Sequence, residues 1–162
     1  MDAQVIELIG RNRLVSELLR DGLEVAAPAR DRGIDLIAYA DRVPDVPTFI
    51  ACPIQMKAAS NESFSVDRKY SNIANLIIAY VWHIHDPDKT VTYALTYNEV
   101  RGIAEKVFDL ENSVVWRQRG YHATSKPSRK LLENLEPHRM TDGKWWQKVT
   151  GQPRIIETSV DS

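Results

Sequence analysis

The chain has 162 residues, 43% of them hydrophobic and 27% charged, a balance ordinary for one globular domain and tight for two. Its 21 Lys and Arg meet 22 Asp and Glu, so the net charge of −1 gives no global pull toward a polyanion, and any such contact must come from local clustering. The lone Cys52 excludes a disulfide framework or a thiolate metal site and reads as a small buried hydrophobe.

Residues 3–21 have helical spacing: Val5, Ile9, Val15, Leu18 and Leu19 recur mostly at steps of three and four, with Leu8 and Leu14 widening the stripe. Asp2 is the expected N-cap and Gly22 the expected C′ glycine, while Gly10 weakens the helix interior. Residues 23–27 read as a strand ended by Pro28, and residues 29–33 as a charged turn. Residues 33–39 and 49–57 read as two further strands, joined by a connection containing Pro44 and Pro47. A polar loop over 58–65 and a helix near 66–75 follow. The apolar run 76–82 has the length of a central strand covered on both faces. Residues 83–89 form a turn and 90–97 a strand, and Asn98 is the expected cap of a helix to about Val107. Ser128 caps a helix with Leu131, Leu132 and Leu135 inward, stopped at Pro137, and Trp145 and Trp146 anchor a closing segment. The order predicts an α/β protein with a central mixed β-sheet flanked by helices. It would be a single domain over 1–150, with a core of about 3–107, an irregular extension over 108–150 and a frayed tail over 151–162. There is no basic-then-apolar leader and no apolar run of the ~18 residues a membrane span needs, so a cytoplasmic protein is expected.

Strand alternation places Ile50, Cys52, Ile54 and Met56 on one side of their strand and Gln55 and Lys57 on the other. If the strands around 35 and 55 pair as a hairpin, Asp35 faces Gln55 and Lys57 across the ladder. A carboxylate, an amide and an ammonium then share one spot for which a core strand has no packing use. Asp35, the Gln55 carbonyl and a backbone oxygen near position 56 are hard oxygen donors suited to Mg²⁺ or Mn²⁺, and Lys57 is placed to stabilise charge on a phosphate. With Gln instead of a second acid, the ion is held more weakly than in a two-carboxylate site.

These residues resemble the PD-(D/E)XK nuclease superfamily, in particular the branches with Gln in the final motif, such as Mrr-type restriction endonucleases. Residues 18–25 followed by Gly33, Ile34 and Asp35 also resemble archaeal Holliday-junction resolvases. The resemblance covers roughly residues 7–81 and implies a restriction-endonuclease-like core, with Asp35 and Gln55 as metal ligands and Lys57 as the catalytic lysine. A Gln/Glu-x-Lys triplet arises by chance about once in a chain this long, so the weight rests on its ordered context. One departure concerns the first helix, where the superfamily usually carries Glu: the corresponding position is Arg11, and Glu7 lies one turn earlier on the same side. Glu7 is the candidate outer acid beside the reading of a solvated acid favoured by the helix dipole. Glu17 reads as a surface residue.

Candidate DNA contacts are Arg11 and Arg13, though acids interleave with them and with Arg20, Arg30 and Arg32. The stretch Ser125 to Lys130 is a cleaner patch, with Lys126, Arg129 and Lys130 beside a helix start. Ser60, Ser63 and Ser65 could bond a DNA backbone. His83 and His85 suggest zinc only if the strand continues, and a polar turn accounts for them better. No Gly-rich phosphate loop or Ser-centred elbow is present. The expectation is a Mg²⁺-dependent DNA endonuclease, dimeric if it cuts both strands. The alternatives are a non-catalytic nuclease-fold module binding DNA or a protein, and a plain protein-interaction domain.

Overall fold

A computed structural model describes residues 1–41 and 48–153. The expected connection through Pro44 and Pro47 and most of the expected tail lie outside the described residues.

Helix α1 spans Ala3–Arg20, and its N-cap Asp2 accepts a hydrogen bond from Gln4 N, as the sequence predicts. It ends where Gly22, at φ 86°, turns the chain, with Gly22 N donating to Leu19 O and Leu23 N to Leu18 O. Strands β1 (Glu24–Ala26), β2 (Leu36–Ala40) and β3 (Ile50–Ala58) follow, each antiparallel to the next. Strand β5 (Ile77–Trp82) pairs parallel to β3, and β6 (Val91–Thr96) antiparallel to β5. The result is a five-stranded mixed sheet in the order β1-β2-β3-β5-β6, flanked by helices.

Alternation along β5 feeds two cores. Ile77, Ala79 and Val81 join Leu14 and Leu18 of α1 and Trp145 and Trp146 of α5 (Lys144–Thr150). Ile78, Tyr80 and Trp82 face the opposite side, packing with Val100 of α2 (Tyr97–Phe108) and Leu131 and Leu135 of α4 (Arg129–Leu135). Every residue of β5 is buried, which is why its sequence is an unbroken apolar run. Ser128 caps α4 through Leu131 N, as expected. Cys52 is buried in the first core.

Several local expectations are corrected. The apolar stripe of α1 is narrower than expected: Leu14 and Leu18 are buried against the sheet, whereas Val5, Leu8 and Leu19 fall away from that side of the helix and are exposed. Residues 66–75 are not an α-helix: Phe64–Asp67 forms strand β4, followed by a 3₁₀ turn over Arg68–Asn72. The deciding pattern has period two, with Phe64 and Val66 buried and Ser65 and Asp67 half-buried. Strand β4 pairs antiparallel with β7 (Tyr121–Thr124), which follows α3 (Val114–Arg119) in a stretch expected to be irregular. The cap of α2 is Thr96, two residues before the expected Asn98. Its side chain accepts from Glu99 N while Glu99 closes the reciprocal bond to Thr96 N at 2.7 Å. Glu17 is not a plain surface acid: it accepts from Arg13 at 2.8 Å, Thr92 at 2.9 Å and Trp145 at 3.1 Å, tying α1 to β6 and α5. No helix among the described residues is long and apolar enough to cross a membrane.

Candidate active site

The site forms where β2 stops short and β3 continues. Leu36 pairs with Ile54, and Asp35 N still donates to Ile54 O at 2.9 Å. Upstream, Gly33 at φ 82° turns the chain away, its N–H held by Asp31 Oδ1 at 3.1 Å. The backbone groups of Met56 therefore face the end of β2 with no strand beside them. Side chains replace it. Asp35 Oδ2 accepts from Met56 N at 2.6 Å, and Gln55 Nε2 donates both to Asp35 Oδ2 at 2.8 Å and to Met56 O at 3.1 Å. The Met56 side chain lies on the opposite face against α1, where Gly10 permits close approach: a Cβ there would sit 2.6 Å from Ala58 Cβ.

Lys57 emerges beside this knot, and its Nζ donates to the Tyr70 hydroxyl at 2.9 Å. All three expected residues line one open cleft of about 770 Å³, together with Glu7 of α1, Asp31 and Tyr70. Asp35 and Gln55 are in direct contact, whereas the ammonium of Lys57 is engaged by Tyr70 in the same cleft. The Asp35 carboxyl is pushed above the usual aspartate range, chiefly by burial. The Met56 N–H bond and Arg11 oppose that shift, and Asp31 and Glu7 add to it.

Glu7 thus shares the cleft with Asp35, and its own carboxylate pairs with Arg11 at 3.2 Å. The other expected cations distribute differently. Arg11 acts on Asp35 through its charge, but Arg13 is paired with Glu17 at 2.8 Å and lines a separate hollow with Asp21, Met140 and Trp145. From the stretch 125–130, Ser125 lines the cleft. Arg129 pairs with Glu133 at 2.8 Å, Lys130 Nζ donates to Lys106 O at 2.8 Å, and the Lys126 backbone N donates to Thr124 Oγ1 at 3.2 Å. Ser60 and Ser63 line the cleft, and so does Lys69. His83 and His85 do not extend the strand: β5 ends at Trp82, and His83 sits in the left-handed region at φ 56°, 3.7 Å from Glu62.

Sequence reasoning did not single out Tyr70, Asp31 or Glu62, all of which line the cleft. The spacing Asp31-x-Gly33-x-Asp35 is the signal that marks the first acid. Tyr70 has no such signal, because it reaches Lys57 only through the turn after β4.

By donor type the residues suit a hard divalent cation: the Asp35 carboxylate, the Met56 carbonyl and the Gln55 amide oxygen. By charge they are spare, since among the described residues no group of three or more His, Cys, Asp or Glu is gathered as a metal site. The amide also turns Nε2 rather than Oε1 toward Asp35. A cation held here would need Gln55 to present its oxygen and would rely on water for much of its coordination. A scan against protein-family models finds no match, and searches of curated proteins and of solved structures find none either.

Proposed function

We propose that the chain is a metal-dependent DNA endonuclease of restriction-endonuclease-like fold, a Gln-x-Lys variant of the PD-(D/E)XK nucleases. The observation that carries this reading is the gathering of Asp35, Gln55 and Lys57, with Glu7, in one open cleft. A mixed sheet whose third strand bears Gln55 and Lys57, behind a helix bearing Glu7, supports it. Asp35, the Met56 carbonyl and Gln55 would hold Mg²⁺ or Mn²⁺, which when bound supplies Lewis acidity and lowers the pKa of bound water. The Lys57 ammonium donates to a non-bridging phosphate oxygen as negative charge builds there. Water forms the new bond to phosphorus and loses a proton to solvent, while the bond to the leaving sugar oxygen breaks and that oxygen takes up a proton from solvent. Four carboxylates and two ammonium groups are among the cleft-lining residues, so a phosphodiester needs added positive charge to enter. Binding of DNA in the cleft should therefore depend on the divalent ion. One copy suffices to nick, and cutting both strands calls for a second copy.

The non-catalytic alternative has one observation in its favour. Asp35 and Gln55 satisfy each other and both backbone groups of Met56 without any ion, as a structural cap on an open strand edge would. Supercoiled plasmid incubated with the purified chain in Mg²⁺ or Mn²⁺, against EDTA, separates the two. Nicked circles that form with the ion and not with EDTA support hydrolysis. Intact plasmid under every divalent condition removes it.

A further inference from the structure

Lys57 carries its charge on a flexible four-carbon stem, and a group that must meet one phosphate oxygen gains from being aimed beforehand. Tyr70 is built to aim it. The tyrosine is 4% exposed and sits on the 3₁₀ turn whose cap, Asp67, accepts from Lys69 N at 3.0 Å. Its ring is backed by the Gly33 turn, where a Cβ would lie 3.6 Å from Tyr70 Cε1. The hydroxyl is thereby fixed at the cleft, where it accepts one N–H of Lys57 at 2.9 Å. An ammonium has three donors, so two remain for a ligand. The same ring gathers a second cation: Lys57 Nζ lies 5.2 Å and Lys69 Nζ 5.0 Å from its centroid. Lys57 meets the ring at its hydroxyl oxygen, and Lys69 is held beside it by Asp67, 3.3 Å from Lys69 Nζ. A tyrosine with only a packing role has no need of either ammonium, because its hydroxyl borders an open cleft.

We infer that Tyr70 is the positioning residue for Lys57, holding its ammonium toward the phosphate of a bound nucleic-acid strand; the inference rests on the nuclease reading above. Tyr70→Phe keeps the ring and removes the acceptor. In nitrogen-15 spectra of the side-chain ammonium groups of the cation-free wild type, recorded cold, Lys57 should give a slowly exchanging signal. The signal should vanish in Tyr70→Phe and persist in Lys69→Gln. In single-turnover plasmid cleavage with Mg²⁺, Tyr70→Phe should lose on the order of 100-fold in the chemical step, with KM changed by less than about twofold. A wild-type spectrum without that signal overturns the inference even if Tyr70→Phe does not fold. So does a signal unchanged in the variant. A wild type that shows the signal, loses it in the variant and cleaves nothing overturns the nuclease reading while upholding the contact.

Discussion

Asp35 closes a strand edge and, in the proposed function, also serves the chemistry, and two substitutions separate those duties. Asp35→Ala removes the acceptor of two donors, the Met56 N–H at 2.6 Å and the Gln55 Nε2 group at 2.8 Å. An orphaned buried donor costs about 1–3 kcal/mol, and the cleft admits some water, so the expected loss is about 2–4 kcal/mol for the pair. Asp35→Asn keeps the shape and one carbonyl acceptor for Met56 N–H, and it relieves a charge that burial disfavours. Its expected cost is about 1 kcal/mol. Both variants should lose cleavage. Urea unfolding at pH 7, with the slope unchanged, reads the stability term, and plasmid nicking reads the chemistry. The pH dependence has a fixed sign. Because the folded-state pKa of Asp35 is raised, the folded protein holds that proton more tightly. The group's contribution is therefore full below the unfolded value of about 3.9 and is lost as pH rises through the folded pKa. The stability difference between wild type and Asp35→Asn should move toward the variant across that window and level off above it. An Asn variant as unstable as Ala, or one that nicks at the wild-type rate, refutes the reasoning.

Gln55→Glu places a second carboxylate against Asp35, so it should tighten Mn²⁺ binding by about tenfold in a spin-resonance titration and lower stability in the absence of the ion. Gly10→Ala should destabilise by about 1 kcal/mol in thermal or urea unfolding. The 2.6 Å clash with Ala58 Cβ costs about 1–3 kcal/mol and outweighs the roughly 1 kcal/mol gained in helix propensity. Asp21→Ala orphans Gly143 N and Trp145 N, which donate to its carboxylate at 2.7 and 2.8 Å, and should cost about 2–4 kcal/mol. Its nicking rate below the unfolding transition should match wild type, since Asp21 lies outside the cleft.

What was legible in the sequence follows from how locally each feature is encoded. Helix α1, strand β5 and helix α4 are written in periodicity and caps. The run of β5 and Leu131 and Leu135 of α4 are buried as expected, but of the α1 stripe only Leu14 and Leu18 are fully buried, while Val5, Leu8 and Leu19 are exposed. The hairpin of β2 and β3 follows from strand length and turn residues, and it alone brings Asp35 to Gln55. Strand β7 was not legible, because its four residues are exposed or half-buried and carry no apolar run. It exists as the partner of β4. Tyr70 meets Lys57, Glu17 meets Trp145 and Asp21 meets Gly143 only after folding, across separations that no pattern marks. The basic stretch at 125–130 shows the same limit: the sequence marks its charges but not their neighbours, Glu133 beside Arg129 and the Lys106 carbonyl of α2 beside Lys130.

The central claim is that this cleft hydrolyses phosphodiesters through Lys57 and the donors beside it. Its most direct test compares wild type and Lys57→Ala, purified identically, on supercoiled plasmid with Mg²⁺. Ion-dependent nicking by the wild type, reduced by two or more orders of magnitude (~10²–10³-fold) in a variant of equal stability, is the predicted result. Nicking that survives the substitution at full rate contradicts the account.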